Sequence, residues 1–362
     1  MHTSRADLPY WLAALYLKGI GPVRFRRWLV HFGDIKTLFT ASPQELAEAG
    51  LTSDHIKNIL HPNWLPIEKD LAWSEKINCH LISCLDSRYP ALLAEIYDAP
   101  LLLFVRGDVA LLTKPQLAIV GSRNPTASGA ELAEQFAYYL AKAGLAITSG
   151  LALGIDAASH QGALNAKGHT IAVCGTGLQY IYPASHQKLT QEIVEKGAVI
   201  SEFLPLTPPK AKQFPMRNRV ISGLSLGVLV IEAALRSGSL ITARCSLEQG
   251  REVFALPGSI HNPLARGCHQ LLRQGAKLVE TAQDVLEELG TLKIAAMQVI
   301  EKTINLTESQ QNVLTQIGFE ITALDAIIMR SGLTTVEVSS MLLALELEGY
   351  IKTVPGGYIR SP

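Results

Sequence analysis

Short apolar runs alternate with amphipathic stretches through the middle of the chain, and this alternation predicts a layered arrangement of strands and helices. Each run is four residues long and mostly aliphatic, as in strands that are buried on both faces. The predicted strands are Leu117–Val120, Leu145–Thr148, Thr170–Val173, Ala198–Ser201, Val228–Ile231 and Val253–Leu256. The predicted helices between them lie near Gly129–Ala143, Asp156–Ala166, His186–Lys196, Arg217–Leu224 and Ser239–Glu248. Strands that alternate with helices in this way indicate an α/β fold with a doubly wound parallel sheet.

The pattern before this sheet is that of short helices. Two apolar segments, Leu12–Leu17 and Arg24–His31, flank the turn Lys18-Gly-Ile-Gly-Pro22, a spacing typical of a helix-hairpin-helix. The amide groups of such a turn can contact a phosphate, but Gly-x-Gly turns also join helices that bind nothing, so both interpretations stay open. Two more helices and a boundary are predicted at Gln44–Ala49, at Ser53–Leu60 and at the prolines Pro62 and Pro66. Residues 1–66 are therefore predicted to form a helical domain of the SAM or helix-hairpin-helix type.

The pattern after the sheet predicts a second small domain. It follows the stretch Thr291–Asn305, which has no strong periodicity, and it begins with a capping box at Thr307-Glu-Ser-Gln310. Further helices, the turn between them and a closing hairpin are predicted at Thr322–Met329, Thr335–Leu347, Ser331-Gly332, Tyr350–Val354 and Tyr358–Arg360. Three helices and a hairpin make a winged-helix pattern, which we assign to residues 306–362, leaving residues 71–290 for the sheet.

Length and composition exclude several classes of protein. The 362 residues are 48% hydrophobic, which is too apolar for a disordered chain and enough for two or three packed domains. The longest apolar runs, such as Leu101–Val105, are far shorter than the ~20 residues that span a bilayer, and no signal-type segment is present, so we expect no membrane contact. Five scattered cysteines favour a reduced, cytoplasmic protein. Cys79 and Cys84 lack a second pair of ligands, so no zinc or other metal site is predicted.

The zero net charge conceals a local separation of signs. The chain has 32 basic and 32 acidic residues, yet no acidic residue lies between Glu202 and Glu232 or between Glu252 and Glu280. An anionic ligand responds to such local asymmetry, because charges more than about 8 Å away are screened. Residues 306–362 carry three basic and six acidic side chains. A winged helix that reads DNA is expected to be basic, so we expect this one to serve protein contacts or regulation.

Three successive predicted strands end in small, hydroxyl-rich loops. These loops are Gly121–Thr126, Ser149–Asp156 and Cys174–Gly177. The carboxyl ends of parallel strands meet at one edge of a sheet, where ligands of such folds bind, so we expect one phosphate-lined crevice. Neither the Gly-x-Gly-x-x-Gly nor the Gly-x-x-x-x-Gly-Lys-Ser/Thr fingerprint occurs. The crevice is therefore predicted to take a mononucleotide or a nucleic-acid backbone in preference to NAD.

A basic segment with one aromatic residue follows the fourth predicted strand. It runs from Pro208 to Arg219 and contains Lys210, Lys212, Phe214, Arg217 and Arg219 but no acid. Single-stranded nucleic acid is bound in this way, since cations follow the phosphates while a ring stacks on a base. The alternative interpretation, a Phe that is buried in the core beside surface charges, stays open at this point.

Two enzymatic functions are alternatives to a binding function. Ser149, Asp156 and His160 do not form a hydrolase triad, because Asp156 and His160 lie one helical turn apart and no nucleophile-elbow pattern surrounds the serine. Asp156 is instead predicted to cap the helix that it begins. Glu232 beside Ser237-Gly-Ser239 supports the alternative of a nucleotide-processing hydrolase, because strand-end carboxylates can act as acid or base.

Several motifs in this region, in order, resemble those of the bacterial DNA-processing protein A (DprA, or Smf) family. The resemblance covers roughly residues 85–280 and is carried by Ala118–Thr126, Ser149–Asp156 with His160, Thr170–Leu178, Ile181–Pro183, Phe214–Arg219, Ser237–Ala243 and Gly267–Ala276. It implies an extended Rossmann-like domain between a helical domain and a winged helix. It also implies a protein without enzymatic activity or cofactor that binds single-stranded DNA and loads the RecA recombinase in natural transformation.

The resemblance also implies partners and site residues. Single-strand-binding protein is a further expected partner, and a homodimer is expected through the Rossmann-like domain, with the dimer and recombinase surfaces within residues 225–285. The DNA-binding residues carried over from the family are Gly121, Ser122, Arg123, Lys212, Phe214, Arg217 and Arg219, and Lys210 joins them although its spacing before the Phe varies.

Overall fold

The computed structural model describes residues 4–290, 308–318, 320–347 and 350–360, and its first part is a helical unit. Residues 4–78 contain helices α1 (Leu8–Leu15), α2 (Pro22–Phe32), α3 (Ile35–Thr40), α4 (Pro43–Glu48), α5 (Ser53–Leu60) and α6 (Trp64–Ser74). Side-chain caps begin several of them: Asp34, Ser42 and Thr52 each accept a hydrogen bond from a backbone amide three residues later. The helices enclose a core of large side chains that includes Trp11, Phe25 and Leu38.

The helical unit does not end at Pro62 and Pro66, which the sequence predicted as its boundary: Pro62 lies between α5 and α6, and α6 runs across Pro66. Pro66 is the third residue of α6, where its missing N–H would have had no partner inside the helix. The hydroxyl of Tyr16 donates a 2.6 Å hydrogen bond to the buried carboxylate of Asp70 and so joins α6 to the end of α1. The helical unit therefore continues to Ser74.

Residues 79–278 form a nine-stranded sheet in the order β1-β2-β6-β5-β4-β3-β7-β8-β9. The strands are β1 (Cys79–Ser83), β2 (Leu102–Gly107), β3 (Gln116–Val120), β4 (Ala146–Ser149), β5 (Thr170–Val173), β6 (Ala198–Ser201), β7 (Gly227–Val230), β8 (Glu252–Ala255) and β9 (Lys277–Leu278). Every neighbouring pair is parallel except the two pairs that β2 makes, with β1 and with β6. The doubly wound sheet is confirmed, and β1, β2 and β9, which the sequence did not predict, extend its two edges.

Helices cover both faces of this sheet. They are α7 (Ala91–Glu95), α8 (Ala127–Lys142), α9 (Ile155–Asn165), α10 (Gln187–Lys196), α11 (Gln213–Leu224), α12 (Ser239–Glu248), α13 (Arg266–Arg273) and α14 (Ala282–Glu288). Alternation along β3 places Leu117 and Ile119 in the core with α8, α9 and α14, while Ala118 and Val120 face α11, α12 and α13. Burial on both faces is the reason that the predicted strands are apolar throughout.

The C-terminal part has the fold that the sequence predicted for a winged helix. It consists of α15 (Glu308–Thr315), α16 (Leu324–Ser331), α17 (Thr335–Leu347) and the antiparallel pair β10 (Ile351–Val354) and β11 (Gly357–Arg360). Gly332 ends α16 with a φ of +70°, which glycine adopts without strain. The stretch Thr291–Asn305 and the capping residue Thr307 lie outside the described residues.

Among the described helices, none is long and apolar enough by itself to cross a membrane. Only α16 and α17 taken together reach that length and hydropathy, and they meet at an angle of 111°.

Candidate nucleic-acid interface

The loop between β3 and α8 is held in place by a carboxylate from another strand. Glu232, just after β7, accepts the amide of Thr126 at 2.9 Å and its hydroxyl at 2.7 Å. Its backbone carbonyl accepts the amide of Ser122 at 2.7 Å. Gly121 lies so close to Ile155 that a side chain would meet it at 2.6 Å, so only glycine fits there. Arg123 is left exposed at the tip of a fixed loop.

A buried arginine joins the ends of the next two strands. Arg217 of α11 is 4% exposed, and its guanidinium donates to the backbone carbonyls of Gly150 and Val173, at the ends of β4 and β5. Gly150 must be glycine, because a side chain would lie 2.5 Å from this guanidinium. Arg217 therefore braces the floor of the predicted crevice, and its side chain is part of the crevice lining.

Asp156 balances the charge of Arg217. Its carboxylate accepts the amides of Gly150 at 3.1 Å and Ala152 at 3.2 Å, so it caps the loop before α9 as well as standing in the first turn of that helix. Burial raises the pKa of Asp156, and the neighbouring Arg217 and these amides oppose the rise. Burial likewise lowers the pKa of Arg217, and Asp156 opposes that change.

An aromatic pair stands beside the loop of Arg123. The ring centroids of Phe214 and Tyr182 are 5.3 Å apart with 43° between the planes, and the Arg123 guanidinium carbon lies 5.8 Å from the Phe214 centroid. Phe214 is half-buried and covers Gly175, where a side chain would lie 2.8 Å from the ring. The third predicted loop, Cys174–Gly177, therefore supports the ring. Phe214 belongs to the crevice and is not a core residue.

These groups line one cavity of about 720 Å³ at the carboxyl ends of the strands. Its opposite wall is the start of α12, with Arg236, Ser237 and Ser239, whose two hydroxyl groups lie 2.6 Å apart. Sequence reasoning missed Tyr182, Arg236 and Asn218 as lining residues. Tyr182 could have been found, because it belongs to the motif Ile181–Pro183 that carries the family resemblance. The sequence around it does not show, however, that it lies beside Phe214.

The remaining predicted residues divide between the rim and the far side of α11. Lys210 and Lys212 are exposed and alternate with Pro209 and Ala211, which line the cavity, so the two lysines flank its mouth. Arg219 is turned away from the cavity and forms ion pairs with Asp98 at 2.8 Å and Glu202 at 2.7 Å. Arg219 does not line the cavity as the sequence predicted, because two residues along a helix reverse the direction of the side chain.

The side chains that suggested hydrolysis are occupied elsewhere. The hydroxyl of Ser149 donates to the carbonyl of Ile119 at 2.6 Å, and His160 Nδ1 lies 2.6 Å from the hydroxyl of Thr170. Both residues are fully buried. Glu232 is 7% exposed and lies behind the loop it holds. Among the described residues, no group of three or more His, Cys, Asp or Glu side chains is placed to hold a metal ion.

Two family models match this chain. One, described as DNA recombination-mediator protein A, matches residues 80–290, which include the sheet and the whole cavity. The other, described as the DprA winged helix domain, matches residues 301–357.

Individual relatives agree with these matches. Protein Smf of Escherichia coli is 42% identical over 364 aligned positions, which cover 98% of this chain and 96% of that protein. The X-ray structure of DNA processing protein A from Streptococcus pneumoniae is 38% identical, with a TM-score of 0.70, over 80% of this chain and 99% of that one. A structure of DNA processing protein A from Helicobacter pylori, which concerns the single-stranded DNA binding mode of that protein, is 33% identical with a TM-score of 0.52. It covers 55% of this chain and 92% of its own.

Proposed function

Because this chain belongs to the family of DNA recombination-mediator protein A, we propose that it binds single-stranded DNA in the cavity and loads a RecA recombinase onto it. The position of Phe214 supports this function most directly. Its half-buried ring lies between Tyr182 and Arg123, at 5.3 Å and 5.8 Å, so a base that enters the cavity meets a ring and its phosphate meets a guanidinium. Stacking of this kind contributes about 1–3 kcal/mol per base and tolerates any sequence.

Each predicted residue then has a role that its position supports. Gly121 and Ser122 line the cavity beside Arg123, and the guanidinium of Arg123 pairs with phosphate oxygens in a fork geometry. Lys210 and Lys212 follow the phosphates at the mouth of the cavity. Arg217 and Arg219 act indirectly: the first braces the cavity floor, and the second is neutralised by Asp98 and Glu202.

The partners follow from the same proposal. We place the dimer contact and the RecA contact within residues 225–285, where large apolar side chains are exposed at Leu235, Ile260 and Leu278. Exposed apolar side chains are typical of surfaces that meet another protein. Single-strand-binding protein, which competes for the same strand, is a further partner. A protein with these partners works in the cytoplasm, in reach of RecA.

The cavity is tested by titrating a short oligothymidylate into the wild type and into Arg123→Ala and Phe214→Ala. We expect each variant to bind about 5- to 150-fold more weakly, the range that corresponds to about 1–3 kcal/mol. Lys114→Ala is the matched control, because Lys114 is an exposed cation at the amino end of β3, opposite the cavity. Wild-type affinity in both cavity variants would contradict the assignment.

The hydrolase alternative is disfavoured by the contacts of Glu232. The Glu232 carboxylate accepts hydrogen bonds from Thr126 on both oxygens, at 2.7 and 2.9 Å, and it is buried behind the loop and does not line the cavity. Incubation of the pure protein with nucleoside monophosphates provides the test. We expect no release of free base, and a release that Glu232→Gln abolishes would reinstate hydrolysis.

A further inference from the structure

The first helical hairpin carries a cationic surface that the cavity does not use. Residues 8–33 contain no Asp or Glu, yet they include Lys18, Arg24, Arg26 and Arg27. This acid-free stretch resembles in composition the segment before α11, although it lies in another part of the chain. Four cations without a local counter-charge require an explanation beyond solubility, since surfaces normally mix both signs.

The structure separates these four cations into two roles. The side chain of Arg26 is turned inward and donates to the carbonyl of Ala99 at 3.2 Å and that of Ile96 at 3.5 Å. It therefore fixes the hairpin against the sheet domain. Asp98 in the same segment pairs with Arg219 of α11, which lies five residues, or about 7.5 Å along the axis, from Phe214. The hairpin is thus attached to the sheet domain beside α11, at the segment 96–99, which pairs with the side of this helix that faces away from the cavity.

The other three cations point into solvent. Lys18, Arg24 and Arg27 are exposed, and within the described part of the chain none of them takes part in an ion pair. Arg24 and Arg27 are three residues apart and so share one face of α2. Lys18 stands at the start of the turn, whose position is held by His55, with Nε2 at 3.2 Å from the Lys18 carbonyl.

The glycine at the end of this turn is not required by the fold. Gly21 has an extended backbone (φ −90°, ψ 167°), which any residue adopts, and no atom lies within 4 Å of the place where its side chain would start. Gly19, by contrast, needs its positive φ of +72°. A bare backbone beside three free cations permits the close approach of an anionic ligand.

We propose that Lys18, Gly21, Arg24 and Arg27, the hairpin surface, bind the phosphate backbone of DNA that extends beyond the nucleotides held in the cavity. Contacts of this kind recognise phosphate without reading sequence, and they position the strand or the adjoining duplex. The inference rests on the proposed function, because the DNA is taken to extend from the cavity. The contribution of the hairpin surface to binding is nevertheless measured separately from that of the cavity.

The test compares two triple variants of the full-length protein. Lys18→Gln with Arg24→Gln and Arg27→Gln removes the hairpin surface. Lys36→Gln with Lys57→Gln and Lys69→Gln removes three exposed cations from the same helical unit and changes the net charge equally. Each is titrated with a short oligothymidylate, with a long one, and with the short one joined to a duplex, over a range of salt concentrations.

We expect the hairpin variant to bind the short strand as the control variant does, and to bind one or both extended ligands at least about tenfold more weakly. Its salt slope, log K against log salt, should be smaller by about two for the single strand or nearly three for the duplex, since each lost phosphate contact removes about 0.7 or 0.9. The extended ligand that loses affinity identifies whether single strand or duplex meets the hairpin surface.

Equal affinities and equal salt slopes of the two triple variants on both extended ligands would overturn the proposal. Failure of the cavity gives a different result: the wild type then fails to bind the short strand, or Arg123→Ala binds it normally. Denaturation midpoints of both triple variants are measured first, and we expect them to equal the wild type because all six side chains are exposed.

Discussion

The sheet domain around the cavity and the winged helix bury very different groups. Around the cavity, Asp156, His160, Arg217 and Glu232 are each less than 8% exposed. In the described residues of the winged helix, the buried side chains are apolar, such as Val313 and Ile327, with Thr322 as the one polar exception. Both regions have folds that bind DNA in other proteins, so the fold alone does not separate them.

The difference shows where a binding site needs internal support. The buried charges of the sheet domain hold three loops in one arrangement, at a desolvation cost that their hydrogen bonds offset. The winged helix shows no such support among its described residues, since the acidic side chains of Glu320, Asp325, Glu337 and Glu346 are exposed. The two regions therefore differ in whether their charged side chains are buried and paired, which their net charges do not show.

The largest expected effect comes from removing the brace of the cavity. Arg217→Met leaves the Asp156 carboxylate buried without its cation, and the carbonyls of Gly150 and Val173 lose their donor. We expect the free energy of unfolding of the sheet domain to fall by about 3–5 kcal/mol, as it does when one partner of a buried ion pair is removed. Urea denaturation followed by a probe in the sheet domain measures it.

The matched variant Arg123→Ala should leave that unfolding free energy within about 0.5 kcal/mol, because Arg123 is exposed. The winged helix should unfold as before in both variants. If Arg217→Met lowers the free energy of unfolding no more than Arg123→Ala does, then Arg217 does not support the cavity in a way that Arg123 does not.

The second effect concerns acid. Burial, together with the nearby His186 and Arg217, lowers the pKa of His160 to about 3, while the unfolded chain keeps the usual value of 6.5. Stability from this group is complete above about pH 6.5 and falls by up to about 1.4 kcal/mol per pH unit as the pH drops toward 3, because only the unfolded chain takes up the proton. Residues 306–362 contain no histidine, so the winged helix should not share this loss.

His160→Asn isolates this contribution, since its amide can still donate to the hydroxyl of Thr170. At about pH 5 the wild type should have lost roughly 2 kcal/mol more than the variant, each relative to its own stability at neutral pH. Parallel pH profiles of the two proteins, measured from urea midpoints, would show that His160 is not the source of acid sensitivity.

The smallest effect is expected from deleting residues 306–362. The described residues of the winged helix contribute none of the cavity lining and residues 306–362 carry an acidic balance, so affinity for a short oligothymidylate should change less than about twofold. Fluorescence anisotropy with a labelled strand measures it. A loss of affinity of more than about tenfold would mean that the acidic domain also supports binding, and that binding does not belong to the sheet domain alone.

Strands buried on both faces were the most predictable part of the fold. The six predicted strands lie within one residue of the observed ones, because burial on both faces makes each a continuous apolar run. The strand β9 escaped prediction because it has two residues, neither of them buried, and β1 because it begins with Cys79 and His80 and so offers only a short apolar run. Helix α6 was missed because Pro66 signals a break everywhere except in the first turn of a helix.

Composition was enough to predict where the site lies, but not the role of each residue in it. The absence of acid around Phe214 and the loop after β3 pointed to residues that the structure brings together at one cavity. Composition could not separate Arg217 from Arg219, because their roles depend on the register of α11 and on Asp98, which lies 121 residues away from Arg219 in sequence. The contacts of Tyr182 and Arg236 with the cavity likewise exist only after the strands have come together.

The tie between Glu232 and Thr126 has a kinetic consequence. Since the loop that carries Arg123 is ordered before a strand arrives, association requires no rearrangement and little conformational entropy is lost on binding. Substitution of Phe214, an uncharged contact residue, should therefore shorten the lifetime of the complex, while the association rate stays near that of the wild type. Substitution of the cations Arg123, Lys210 and Lys212 should also lower the association rate, because exposed cations attract the strand before contact. On the proposed function, strands of different sequence would therefore be captured at similar rates and would differ in how long they are retained.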